Sequence, residues 1–168
     1  IESLAMSVKD NGDVYFVPAF SGLFSPHWDP TARGVLVGLS RFSNKNHIAR
    51  AVLESVAYQS YELIDSMEKD IGIEFNEIKV DGGMIVNNLL MQFQSDIFNK
   101  NVIAKDLKEI TAYGAGLASY IFLKGIEIND LNIEQTISNT WTPNISIDKR
   151  NNYIDMWSKA IEKSKNWI

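Results

Sequence analysis

The residues 80–88, Val-Asp-Gly-Gly-Met-Ile-Val-Asn-Asn, put an acidic residue and two glycines where an apolar strand gives way to amides that open a helix. A strand ending in Asp81-Gly82-Gly83 is good turn chemistry. It is also an arrangement in which main-chain N–H groups and a helix N-terminus can meet a phosphate, with glycine admitting a ligand closer than a β-carbon would. Asn87 shares the ambiguity, since its amide can hydrogen-bond a ligand or cap the following helix. A second candidate is Trp-Asp-Pro-Thr-Ala-Arg-Gly at 28–34, where Asp29 and Arg33 either form an ion pair within a loop or face a ligand. Other chemistries lack their residues. His27 and His47 are the only histidines and have no acidic partner at helical spacing, so no metal site is expected. There is no Gly-x-Ser-x-Gly elbow, no Walker A loop and no Gly-x-Gly-x-x-Gly fingerprint.

The elements that hold these residues follow from periodicity and punctuation. Residues 13–20 and 35–40 read as strands flanking a loop set by Gly22, Pro26, Pro30 and Gly34. Ser43 is the expected N-cap of a long helix over 44–70, whose stripe Ile48, Val52, Val56, Leu63 and Met67 runs beside Ala49, Leu53, Ala57 and Ile64. A strand at 77–81, a helix at 88–99, a strand at 101–105 and a helix at 111–124 come next, with Gly125 at the C′ position of the last. A polar stretch over 129–150 precedes a terminal helix carrying Tyr153, Trp157 and Ile161. The alternation predicts one α/β unit, a mixed sheet holding both 35–39 and 78–81, covered by helices 44–70 and 111–124.

At 168 residues, with 45% hydrophobic and 22% charged residues, the chain can bury a core and is not of a disordered class. A net charge of −5 with scattered Lys and Arg gives no nucleic-acid footprint. No apolar run is long enough for a membrane span. The absence of cysteine excludes disulfides and fits a reducing, cytoplasmic setting.

Several blocks, in order, resemble the FGGY carbohydrate kinases: 17–34, the stretch 34–54 (Gly-Val-Leu-Val-Gly-Leu-Ser through Ala-Val-Leu-Glu), 54–60, 80–97 and 109–116. Together they run through roughly residues 14–165, and Leu90-Met91-Gln92-Phe93-Gln94-Ser95-Asp96-Ile97 is most similar to the glycerol kinase branch. The resemblance implies an actin-like ATPase, ribonuclease H-like domain. It further implies that 1–168 corresponds to the C-terminal, nucleotide-binding domain and lacks the N-terminal substrate lobe. By motif, Gly82, Gly83 and Asn87 then face ATP or ADP, and the helix with Gly114, Ala115 and Gly116 packs behind that turn. Mg²⁺ would accompany ATP, glycerol would bind through the other lobe, and the full-length protein would be a homo-oligomer. The catalytic base would lie outside this chain, so no residue here is nominated for it and the fragment alone is expected to be inactive. The same domain of a xylulose- or gluconate-type kinase, or a degenerate member serving protein association, is the alternative. Phe24, His27 and Phe42 depart from the family pattern, in the direction of a different subfamily rather than a different fold.

Overall fold

The computed structural model describes residues 1–105, 109–131 and 137–168. A short helix α1 (Glu2–Ala5) precedes strands β1 (Tyr15–Val17) and β2 (Val35–Val37). These pair antiparallel, Tyr15 opposite Val37 and Val17 opposite Val35. The long helix α2 (Lys45–Ile71) follows, then β3 (Glu77–Val80), a 3₁₀ turn (Gly83–Val86), α3 (Asn88–Phe98) and β4 (Asn101–Lys105). Strands β3 and β4 are parallel, with Ile78 opposite Val102 and Val80 opposite Ala104, so α3 is the crossover such a pair requires. Helix α4 (Ile110–Lys124), strand β5 (Ile137–Trp141) and helix α5 (Ile147–Ser164) complete the chain. Strand β5 runs antiparallel to β4, Val102 facing Trp141. The sheet β3-β4-β5 is therefore mixed, as expected of the class.

Four expectations need correction. Strands β1 and β2 form a sheet of their own, so 35–39 and 78–81 do not share one. Alternating apolar residues identify a strand but not its partner, and these two pairings are set by tertiary packing. The cap of α2 is Asn44, because the Ser43 hydroxyl is already occupied in accepting from the Ser40 N–H at 2.9 Å. Asn44 accepts from the Asn46 N–H, while His47 Nδ1 accepts from the Asn44 N–H at 3.2 Å. On the same helix, Val56, Leu63 and Met67 are exposed, and the buried residues include Leu53, Glu54, Ala57 and Tyr58. Two apolar stripes lie side by side there, and the one flanking the aromatic Tyr58 is the one that packs. Finally, α4 has the expected extent but buries none of its residues, so among the described residues it covers neither sheet. Of the stretch read as polar, 137–141 is a strand, and residues 132–136 lie outside those described.

The core lies where α2, α3 and α5 meet the strands. Tyr58 stacks on Trp157 with ring centres 4.9 Å apart and forms a T-shaped pair with Phe93 at 5.4 Å. Around them Val17, Leu90, Ile97, Val102 and Ile161 are fully enclosed. Burying Trp157 and its neighbours fixes α3, and α3 in turn fixes the turn that feeds it. The expected C-terminal stripe is confirmed at Trp157 and Ile161, with Tyr153 half-buried.

Candidate functional site

The turn between β3 and α3 is built from two glycines with different requirements. Gly82 has φ +84° and ψ −175°, a backbone region that essentially only glycine occupies. Its identity is explained by the fold. Gly83 is not at positive φ, and a β-carbon placed on it would find nothing within 4 Å. Neither backbone conformation nor neighbouring atoms demand glycine there. The residue is exposed, and the N–H groups of Gly83 and Met84, first in the 3₁₀ turn, have no partner among the described residues.

Asn87 closes the turn as the N-cap of α3. Its Oδ1 accepts from the Leu90 N–H at 2.9 Å, its own N–H donates to the Met84 carbonyl at 3.0 Å, and it is only 7% exposed. Both readings of Asn87 therefore bear on different atoms of one side chain: the oxygen is committed to the helix, and the amide nitrogen has no partner among the described residues. The helix terminus itself is largely taken. Glu2 Oε1, from the start of the sequence, accepts from the Leu89 N–H at 3.1 Å, and the Asn87 carbonyl accepts from Met91. An anion at this turn would thus meet the Gly82–Met84 backbone and the Asn87 amide rather than the end of α3. Sequence reasoning missed Glu2, because a contact between residues 87 positions apart leaves no local signal.

The other candidates resolve as structure. Asp29 accepts from the Thr31 N–H at 2.8 Å and the Thr31 hydroxyl at 2.6 Å, which holds its carboxyl below the ordinary carboxylate range. Arg33 donates to the carbonyls of Pro30 and Ala32. No Asp29–Arg33 ion pair forms; both side chains serve the local loop. His27 Nε2 lies 2.8 Å from Glu62 Oε1 in a cleft also lined by Phe24 and Gln59. Phe42 covers His47, with ring centres 5.1 Å apart. Gly114, Ala115 and Gly116 lie on the exposed surface of α4, with open space where a β-carbon of either glycine would project, so no packing behind the turn is seen among the described residues. No group of three or more His, Cys, Asp or Glu is placed to hold a metal ion among those residues.

Known proteins match this arrangement closely. The glycerol kinases of Corynebacterium kroppenstedtii and Brucella anthropi are 49% and 48% identical over 99% and 100% of this chain. The chain spans about a third of their length, 33% and 34%. Among solved structures, the glycerol kinase of Plasmodium falciparum with ADP superposes with a TM-score of 0.83 at 32% identity, covering 97% of this chain and 33% of that one. A ligand-bound xylulose kinase from Lactobacillus acidophilus superposes at 0.76 with 21% identity over 96% of this chain and 33% of its own, a likeness of fold alone. The α/β architecture is that of the actin-like ATPases to which these kinases belong. Residues 2–121 match the profile of the FGGY family of carbohydrate kinases, C-terminal domain, and the chain belongs to that family.

Proposed function

We propose that this chain supplies the nucleotide-facing lobe of an ATP-dependent glycerol kinase, which transfers the γ-phosphoryl group of ATP to glycerol and releases glycerol 3-phosphate and ADP. The observation that carries the reading is the glycine at 83. The fold gives no reason for it, so the reason lies in what approaches from solvent: a nucleotide resting against the main chain at Gly82 and Gly83. Asn87 contributes through its amide nitrogen, which donates to the nucleotide while its oxygen stays on Leu90. The identity of 45–49% to glycerol kinases and the ADP complex of the Plasmodium relative support the choice of substrate and nucleotide.

Phosphoryl transfer depends on placing the reacting groups and stabilising charge around them. In this proposal the chain binds and orients the nucleotide. The polyol and the group that accepts its proton belong to the remainder of the full-length protein, which works in the cytoplasm as a homo-oligomer. Magnesium enters with the ATP phosphates, since no described cluster here would hold it, and no step is assigned to it.

The test is Gly83→Val in the full-length kinase. The backbone conformation accepts a β-branched residue and nothing crowds the position, so the melting temperature should stay within about 2 °C of wild type. ADP affinity measured by calorimetry should fall by at least about tenfold, a loss of some 1.4 kcal/mol. Unchanged ADP affinity in the folded variant would remove this turn from the nucleotide site.

A further inference from the structure

The first turn of α3 presents consecutive N–H groups to acceptors from two distant parts of the chain. Asn87 is the N-cap, and its Oδ1 accepts from the third residue of the helix, Leu90, at 2.9 Å. An N-cap side chain can equally accept from the second residue. Here that second N–H, on Leu89, is already held by Glu2 Oε1 at 3.1 Å. The fourth, on Met91, donates to the Asn87 carbonyl at 3.1 Å.

Packing brings Glu2 to this place. It opens α1, a single turn in which the Ala5 and Met6 N–H groups donate to the Ile1 and Glu2 carbonyls at 3.0 and 2.8 Å. Ala5 is fully buried in a small core with Ala49 and Leu53 of α2, and Leu89 packs against the same cluster. Leu89 therefore meets this second core with its side chain and Glu2 with its N–H. The main core around Tyr58 and Trp157 fixes the body of α3, and the small one fixes its first turn.

The consequence falls on the Asn87 amide. A carboxamide is planar, so the donor that holds Oδ1 also settles where Nδ2 points. With Leu89 taken, Oδ1 is left to Leu90 alone. Without Glu2 the Leu89 N–H would lack an acceptor, an unfavourable state that Asn87 Oδ1 relieves by moving toward it, and Nδ2 would turn with the oxygen.

Building on the donor role proposed above for Asn87, we propose that Glu2 is a positioning residue for the nucleotide. By occupying the Leu89 N–H it confines Asn87 Oδ1 to Leu90 and so aims the Asn87 amide nitrogen. Glu2 acts through Asn87 and needs no contact with the nucleotide. A carboxylate near a helix N-terminus also stabilises the helix by charge, and the experiment separates that contribution from the aiming.

The experiment compares Glu2→Ala and Glu2→Gln in the full-length kinase, each alone and combined with Asn87→Ala, by calorimetry with ADP and by thermal unfolding. Glu2→Ala should weaken ADP about threefold to fivefold, and no more than Asn87→Ala does, because the same single donor is lost. Glu2→Gln keeps an acceptor oxygen without the charge, and should hold affinity within about twofold of wild type. In the Asn87→Ala background, Glu2→Ala should still lower the melting temperature yet leave ADP affinity unchanged. Full affinity in Glu2→Ala beside a weakened Asn87→Ala would overturn the proposal. So would equal losses in the glutamine and alanine variants, or a further drop in affinity when Glu2→Ala is added to Asn87→Ala. Unchanged affinity in both Gly83→Val and Asn87→Ala would remove the nucleotide reading itself, and the role of Glu2 with it. If Glu2→Ala fails to fold, Glu2→Asp, one methylene too short for Leu89, takes its place with the same expectations.

Discussion

Asn87 offers a perturbation in which the observed cap and the proposed nucleotide contact of one side chain can be pulled apart. Replacing it with alanine removes the Oδ1 acceptor held by the Leu90 N–H at 2.9 Å, in a buried setting that water does not readily reach. Loss of an N-cap costs about 0.5–2 kcal/mol, and burial places this one toward the upper half. The helix is not left bare, because Glu2 still holds the Leu89 N–H and the residue-87 carbonyl still accepts from Met91. A loss of about 1–1.5 kcal/mol follows, or roughly 2–6 °C of melting temperature for a chain of this length. Asn87→Asp should behave differently. A carboxylate retains the acceptor and favours a helix N-terminus, while the nearby Glu2 carboxylate adds like charge, so its stability should match wild type. It nevertheless lacks the amide donor, and ADP affinity in the full-length kinase should fall about fivefold or more. The measurements are urea unfolding followed by circular dichroism and calorimetry with ADP. An alanine variant within 0.5 kcal/mol of wild type, or an aspartate variant as unstable as the alanine one, would refute the capping argument. An aspartate variant with full ADP affinity would refute the donor role.

Gly12→Ala should cost about 1–3 kcal/mol by urea unfolding, since φ is +58° and the new methyl group would press on the His47 ring. Gly38→Ala should fail to give soluble folded protein on expression, because its β-carbon would sit 1.9 Å from a backbone oxygen that has no side-chain rotation to relieve it. Trp157→Ala should cost about 3–5 kcal/mol by denaturant unfolding, whereas Trp157→Phe should cost less than about 1.5, as it keeps an aromatic ring against Tyr58 and removes an indole N–H that has no partner among the described residues.

What could be read in advance depended on whether the information was local. The extents of α2, α3 and α4 follow from apolar spacing and from the glycines at 72 and 125, both at positive φ, that end α2 and α4. The turn at Gly82 and the cap at Asn87 are equally local, and both were legible. The division into two sheets was not, because Val35–Val37 and Ile78–Val80 carry the same kind of apolar run and the pairing of each is decided by distant partners. Strand β5 escaped notice for a different reason: Ile-Ser-Asn-Thr-Trp is exposed except at Trp141, so its sequence carries no buried alternation. The burial of Glu54 was invisible for a third. Glutamate and arginine four apart on a helix read as a surface pair, whereas here Glu54 is 2% exposed.

On the proposed nucleotide contact at Gly83, the adjacent glycines 82 and 83 would answer to different demands, and a mutational scan that records cellular abundance and growth on glycerol separately would separate them. At Gly82 every side chain must enter a backbone region built for none, so abundance and growth should decline together. At Gly83 a β-carbon meets open space and φ is not positive, so abundance should change little while growth falls with side-chain size. One position would then report on the polypeptide's own folding and its neighbour on the molecule the polypeptide meets, across a single peptide bond.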